Sequence, residues 1–395
     1  MIACTYCGRA NEDSAVHCRE CGTELTALVG SKALSRLSNQ EFSGPDVPDK
    51  AVHFDPLQLP GPRLINPAEL DGAFQFEDGF HRADWKVIRE WIDSRIAPPD
   101  MDEAWNEAAL LWVAKLRDDL GGNYFVIQSR QTVLLCDQPL ETARRLLDFA
   151  GRTATTIKEC LDTTAWSGAF GKDVVLVFSD QDDYYQYLSY HTPDGEQATS
   201  GGVCIHTGYT HIALPWYDEL IAANTIVHEL IHNCLAHLPL PLWLNEGMAV
   251  TLEKAIAPAA HATVMWDELA DRHFAFWTEE TIQSFWAGTS FSQPGDPNEL
   301  SYSLAEVFVK LLSERGEAAA FRAFLQAAHR DDAGQTAAMD VLGADLGGIA
   351  GTFLGEGNWR PLRKAMVACW EAAGRNERRK EDEEPLHGTT APARF

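Results

Sequence analysis

The segment His228-Glu229-Leu230-Ile231-His232 constrains its surroundings more than any other part of the chain. On an α-helix, positions i and i+4 project from one side about a turn apart, so both imidazoles can reach a single metal ion if the segment is helical. With 13 histidines and 58 acidic residues in 395, chance alone yields such a histidine-acid-x-x-histidine pattern only about 0.06 times, so coincidence accounts for it poorly.

The flanks agree with a helix. Asp218 and Glu219 stand where a capping carboxylate and an N-terminal negative charge belong, and Leu220, Ile221, Ile226, Val227, Leu230, Ile231 and Leu235 supply apolar contacts along the following turns. Pro239 and Pro241 stop the helix. The segment Trp243-Leu244-Asn245-Glu246-Gly247-Met248-Ala249 then restarts one and returns a carboxylate, making Glu246 the third ligand beside His228 and His232. Two histidines and one glutamate leave a fourth zinc position for water, as in a catalytic site. Zinc would polarise the scissile carbonyl and acidify the water, whose proton Glu229 would accept and pass to the leaving amine.

At these residues the chain resembles the gluzincin metallopeptidases, above all the peptidase-MA-like group, in which H-E-x-x-H is followed by W-L-x-E-G-x-A. The resemblance extends to the N-E-x-x-A of zinc aminopeptidases, here Asn245 to Ala249, and covers roughly residues 120–330. It implies a tyrosine on a downstream helix that hydrogen-bonds the oxyanion. Ser301 to Val309 begins such a helix, so Tyr302 is the candidate, with His273 in reserve. One departure is plain: where thermolysin-like enzymes carry a histidine-orienting aspartate one turn after the third ligand, this chain has Val250. The orienting partner must then come from elsewhere, for example a backbone carbonyl, Thr251 or Glu253. Leu235 and Leu238 occupy the places of the metzincin glycine and third histidine, which excludes that arrangement. His237 reads as a cation or donor at the helix C-terminus, and His206 and His211 as hydrogen-bonders at strand ends rather than ligands.

A second metal site opens the chain. Cys4-Thr5-Tyr6-Cys7-Gly8 and Cys18-Arg19-Glu20-Cys21-Gly22 are two C-x-x-C-G knuckles whose four thiolates can enclose a structural zinc tetrahedrally. They resemble the short zinc ribbons at the N-termini of many bacterial proteins. So small a module buries little core, so zinc supplies most of its folding free energy. No secretory signal precedes it, which disfavours a disulfide pair and points to a reducing cytoplasm. The other cysteines, Cys136, Cys160, Cys204, Cys234 and Cys369, show no pairing pattern, and Cys234 falls on a different helical face from His232.

With 58 acidic against 32 basic residues, the formal charge of -26 repels a phosphate backbone and argues against nucleic-acid binding. No apolar stretch is long enough to span a membrane. The expected organisation is a zinc ribbon over 1–26, a Ser/Pro/Gly/Asp-rich linker over 27–62, a zincin-like domain over 63–374 and a charged, solvated tail over 375–395.

The fold class expected is α+β, a zincin-like metallopeptidase domain with a mixed sheet lobe and a helical lobe. Helices are predicted over 84–96, 102–120 and 140–161, with paired strands at 124–128 and 132–136. The clearest strand is 173–178, followed by an aromatic helix through Tyr184, Tyr185 and Tyr187; strands at 201–205 and 211–215 precede the metal helix, and helices prevail from Tyr302 to Gly374. The resulting expectation is a cytoplasmic zinc metallopeptidase with one catalytic and one structural Zn²⁺, acting on a peptide or protein, its ribbon docking a protein partner. The rival from another class is a catalytically silent zincin-fold scaffold; the presence of Glu229 favours the enzyme.

Overall fold

The computed structural model describes residues 2–3, 10–11, 63–164, 170–191, 201–257 and 266–373. Cys4, Cys7, Cys18 and Cys21, the 27–62 linker and the 375–395 tail lie outside them. A short antiparallel pair, β1 (Ile2–Ala3) with β2 (Ala10–Asn11), precedes the described body in sequence. Chain packing divides the described body into two compact units, a mixed α/β one (63–158, 170–191, 201–236) and a helical one (159–164, 237–257, 266–373).

The mixed unit is built on a five-stranded sheet. Its strands are β5 (Phe125–Gln128), β6 (Thr132–Cys136), β7 (Asp173–Phe178), β8 (Val203–Ile205) and β9 (His211–Pro215), in the order β5-β6-β7-β9-β8. The three central strands run parallel and the two outer ones antiparallel to their neighbours. A parallel centre covered on both faces needs nearly continuous apolar strands. Val174 to Phe178 are accordingly buried throughout.

Alternation along the strands sorts side chains between the faces. Val126, Val133, Leu135, Val174, Leu176, Val203, Ile205 and Ala213 join one core cluster with α1 (Trp85–Arg95), α2 (Met101–Leu120) and α4 (Gln181–His191). The long helix α3 (Leu140–Leu161) separates β6 from β7 in sequence. Before α1 lies a hairpin, β3 (Phe74–Glu77) with β4 (Phe80–Ala83), which the sequence reading did not include. Its turn, Asp78-Gly79, has positive φ at both residues (47° and 82°), the primed geometry an Asp-Gly pair favours.

The other sheet face receives α5 (Glu219–Leu235), which packs on β8 and β9. The approach is close: a Cβ on Gly202, just before β8, would collide with Thr225 of α5. The helical unit centres on α6 (Leu242–Ile256), α8 (Ile282–Trp286) and α9 (Asp296–Ser313), with α7 (Trp266–Phe276) between α6 and α8 in sequence. Trp243, Phe285, Trp286 and Phe308 form its aromatic heart with ring centroids 5.1–6.2 Å apart. The indole N–H of Trp243 donates to the Ala333 carbonyl at 3.0 Å, so burying that ring leaves no polar atom unsatisfied.

Most predicted elements are present with ends within a few residues of those expected. The helix carrying Tyr302 differs: it starts at Asp296, with Pro297 in its first turn, so Tyr302 sits in the second turn rather than at the start.

Candidate metal centre

Helix α5 begins as its sequence dictates. Asp218 is the N-cap, its side chain accepting from the Ile221 N–H at 2.8 Å. Ala222, Ile226, Val227, Leu230 and Ile231 are buried, which fixes the rotation of the helix and thereby the directions of His228, Glu229 and His232. The two imidazoles stack edgewise, their centroids 4.8 Å apart, and the Glu229 side chain is buried at 7% exposure.

The helix ends at Leu235 and Pro241 caps the start of α6. Trp243 and Leu244 are wholly buried and anchor this first turn, which presents Glu246. The next residue must be glycine: a Cβ on Gly247 would lie 2.6 Å from the Ala305 carbonyl oxygen of α9 and 2.7 Å from Val309 Cγ2. The W-L-N-E-G segment thus combines an anchor, a carboxylate and a helix–helix contact.

His228, His232 and Glu246 each offer a ligand atom, and these atoms all lie within 4.8 Å of one another. Among the described residues no other group of three or more His, Cys, Asp or Glu side chains meets this criterion. A tetrahedral zinc with bonds of about 2.1 Å holds donors about 3.4 Å apart. Two imidazoles and a carboxylate are borderline-to-hard donors that suit Zn²⁺. Glu229, on the same helical turn as His228, is not one of the three.

Tyr302 is half-buried on α9 with its ring edge-on to Phe291 at 5.2 Å, one turn before Ala305, the residue that meets Gly247. One turn further on, Glu306 clamps α9 to α6, accepting from Lys254 at 2.6 Å and from Lys310 at 2.7 Å. Burial alone would raise the Glu306 carboxyl, but the two ammonium groups outweigh it and hold it below its ordinary value of 4.5.

The remaining histidines resolve individually. His273 is committed elsewhere: its Nδ1 accepts from the Trp277 indole at 3.0 Å, so the proton is on Nε2, which donates to Ser303 at 3.0 Å. Burial lowers its pKa to about 4, and it reads as a core hydrogen-bonder instead of a reserve for Tyr302. His211 bridges Tyr187 and the Tyr209 carbonyl, both at 2.7 Å, on the sheet face opposite α5. Burial lowers the pKa of His237 below its ordinary value, so of the two roles expected of it, cation or donor, the cation is disfavoured at pH 7. Of the orienting partners named for His228 and His232, Thr251 has a buried hydroxyl with no hydrogen-bond partner among the described residues.

The five described cysteines are free thiols. Burial pushes Cys136 and Cys234 up to about 12, so both are inert protonated thiols at neutral pH. Sequence reasoning missed Arg82, a buried cation on β4, whose signal was the Asp78-Gly79 turn between alternating apolar residues. No protein-family model matches this chain, and no curated protein matches it.

Proposed function

We propose that this chain is a zinc-dependent metallopeptidase of gluzincin type. The observation that carries the reading is the convergence of donor atoms from His228, His232 and Glu246, with Glu229 beside them on α5. Zinc held there would act as a Lewis acid toward a peptide carbonyl and lower the pKa of a water molecule. Glu229 accepts the proton of the attacking water and returns it to the leaving nitrogen, and Tyr302 donates to the oxyanion. The substrate backbone adds to β8, an edge of the sheet among the described residues, next to α5. A ribbon built on Cys4, Cys7, Cys18 and Cys21 holds a second, structural zinc and docks a protein partner, and the enzyme works in the cytoplasm.

Metal analysis combined with peptide hydrolysis tests this. The wild-type chain should carry about two zinc equivalents, and His232→Ala and Cys18→Ser should each lose about one. Glu229→Gln should keep both while hydrolysis falls roughly 10²- to 10⁴-fold. Retention of both ions by His232→Ala sinks the site assignment. A fully loaded wild type that cleaves nothing in a broad peptide library instead favours the silent scaffold.

A further inference from the structure

On the face of the sheet opposite α5, the mixed unit forms a cavity of about 330 Å³, open to the surface on one side and lined by Arg82, Trp85, Trp112, Tyr190, His191 and Thr207. Arg82 is only 6% exposed, yet none of its three guanidinium nitrogens has a hydrogen-bond partner among the described residues. Its carbon lies 4.3 Å from the Tyr190 ring centroid, 4.9 Å from that of Tyr187 and 5.3 Å from that of Phe80. Stacking on ring faces attracts the cation but leaves the N–H groups, which point outward in the guanidinium plane, unsatisfied. A buried cation in that condition is unfavourable unless something completes it.

Among the described residues, the nearby acids do not do so. Asp84 spends its carboxylate on capping α1, accepting from the Val87 N–H at 3.0 Å, and Glu77 and Asp78 are exposed. The cavity histidines supply no second positive charge. His211 bears its proton on Nδ1, given to the Tyr209 carbonyl, and accepts from the Tyr187 hydroxyl through Nε2. His191 contacts Thr207 through Nδ1 at 3.3 Å, and its buried Nε2 has no partner among the described residues. Burial holds both rings neutral at pH 7, at about 4 for His211 and about 2 for His191. The wall is also built to shape: Gly208 has φ +76°, and any Cβ there would collide with the Trp85 indole.

A single, planar, in-plane hydrogen-bonding cation between aromatic walls matches one carboxylate with a flat or apolar body. Phosphate fits less well, since a dianion would face one cation, two neutral imidazoles and the Glu77 carboxylate at the lining. We propose that this cavity binds a small aromatic or apolar monocarboxylic acid, its carboxylate paired with Arg82 and its body against Trp85, Trp112 and Tyr190. The site lies on the other sheet face from His228 and His232, so it stands or falls independently of the peptidase reading.

The test uses the full chain and the tryptophan fluorescence that Trp85 and Trp112 contribute. Titration with benzoate and with 3-phenylpropionate should give saturable changes in the millimolar range or tighter, with the matching amides at least about tenfold weaker, because they lack the charge that Arg82 pairs. Arg82→Met should abolish carboxylate binding and, by removing an incompletely paired buried cation, raise the melting temperature of the ligand-free chain. Arg82→Lys, which keeps the charge but loses the fork, should bind at least about tenfold more weakly. Three results overturn the proposal. One is no saturable change with either acid; another is inorganic phosphate binding as tightly as benzoate. The third is a lowered melting temperature in Arg82→Met, which would mean that the guanidinium is already paired within this chain.

Discussion

Glu229 and Tyr302 have the same burden in the proposed reaction, to meet charge as it develops, but they differ in what their loss removes. Without the Glu229 carboxylate, the proposed reaction has no proton acceptor on the helical turn of His228 and His232. Without the Tyr302 hydroxyl, one hydrogen bond to the oxyanion is missing while its ring still packs on Phe291. Tyr302→Phe should therefore lower turnover on the order of 10²-fold with KM little changed, a milder loss than that of Glu229→Gln. Steady-state kinetics on a short peptide separates the two. An equal rise in KM with unchanged turnover would move Tyr302 from oxyanion donor to ground-state contact.

Helices α6 and α9 depend on Gly247 and on the Glu306 clamp. Glycine to alanine within a helix ordinarily stabilises by about 1 kcal/mol. At Gly247 the sign should reverse, since the new methyl meets the Ala305 carbonyl and the helices must separate, and overpacking of this kind costs roughly 1–3 kcal/mol. Chemical denaturation of Gly247→Ala measures it, and a stabilised variant would mean that the helices part easily. The Glu306 clamp makes a pH-dependent contribution. Its carboxyl is held below 4.5 in the folded chain, so its stabilisation is fully present above 4.5 and is lost as pH falls through the depressed value. Glu306→Gln should be about 1–2 kcal/mol less stable than wild type at pH 7, with the gap closing below pH 4.5. A gap of constant size across that range would assign the effect to packing rather than to the charge.

For the whole molecule, the consequential question is whether recruitment and chemistry are separable. The ribbon has its own expected zinc, and the linker of 36 residues that follows, treated as a flexible coil, reaches about 30 Å. Deleting residues 1–26 should leave short-peptide hydrolysis and the metal at His228, His232 and Glu246 nearly unchanged, while weakening capture of a protein substrate or partner. Turnover of truncated and full-length chains on one short peptide decides the matter. A large loss in a folded truncation would tie the ribbon to the catalytic domain. Among the described residues no single helix is long and apolar enough to cross a membrane.

Much of this molecule is readable from local chemistry. The Asp218 cap, the helix bearing His228 and His232, the restart at Trp243, the apolar strand 173–178 and the mixed α+β class all follow from periodicity, capping and turn residues, which act over a few neighbours. What no local pattern conveys is contact between distant segments. His273 looks like a spare catalytic group until Trp277 and Ser303 are seen to occupy both ring nitrogens. Gly247 looks like a weak point in a helix until α9 is seen pressed against it. Arg82 looks like a surface residue of a short strand until Tyr187 and Tyr190, more than 100 positions later, close over it. Helix and strand formation is governed by neighbours in sequence, whereas burial, and with it the protonation and pairing of a polar group, depends on which remote side chains the fold places around it.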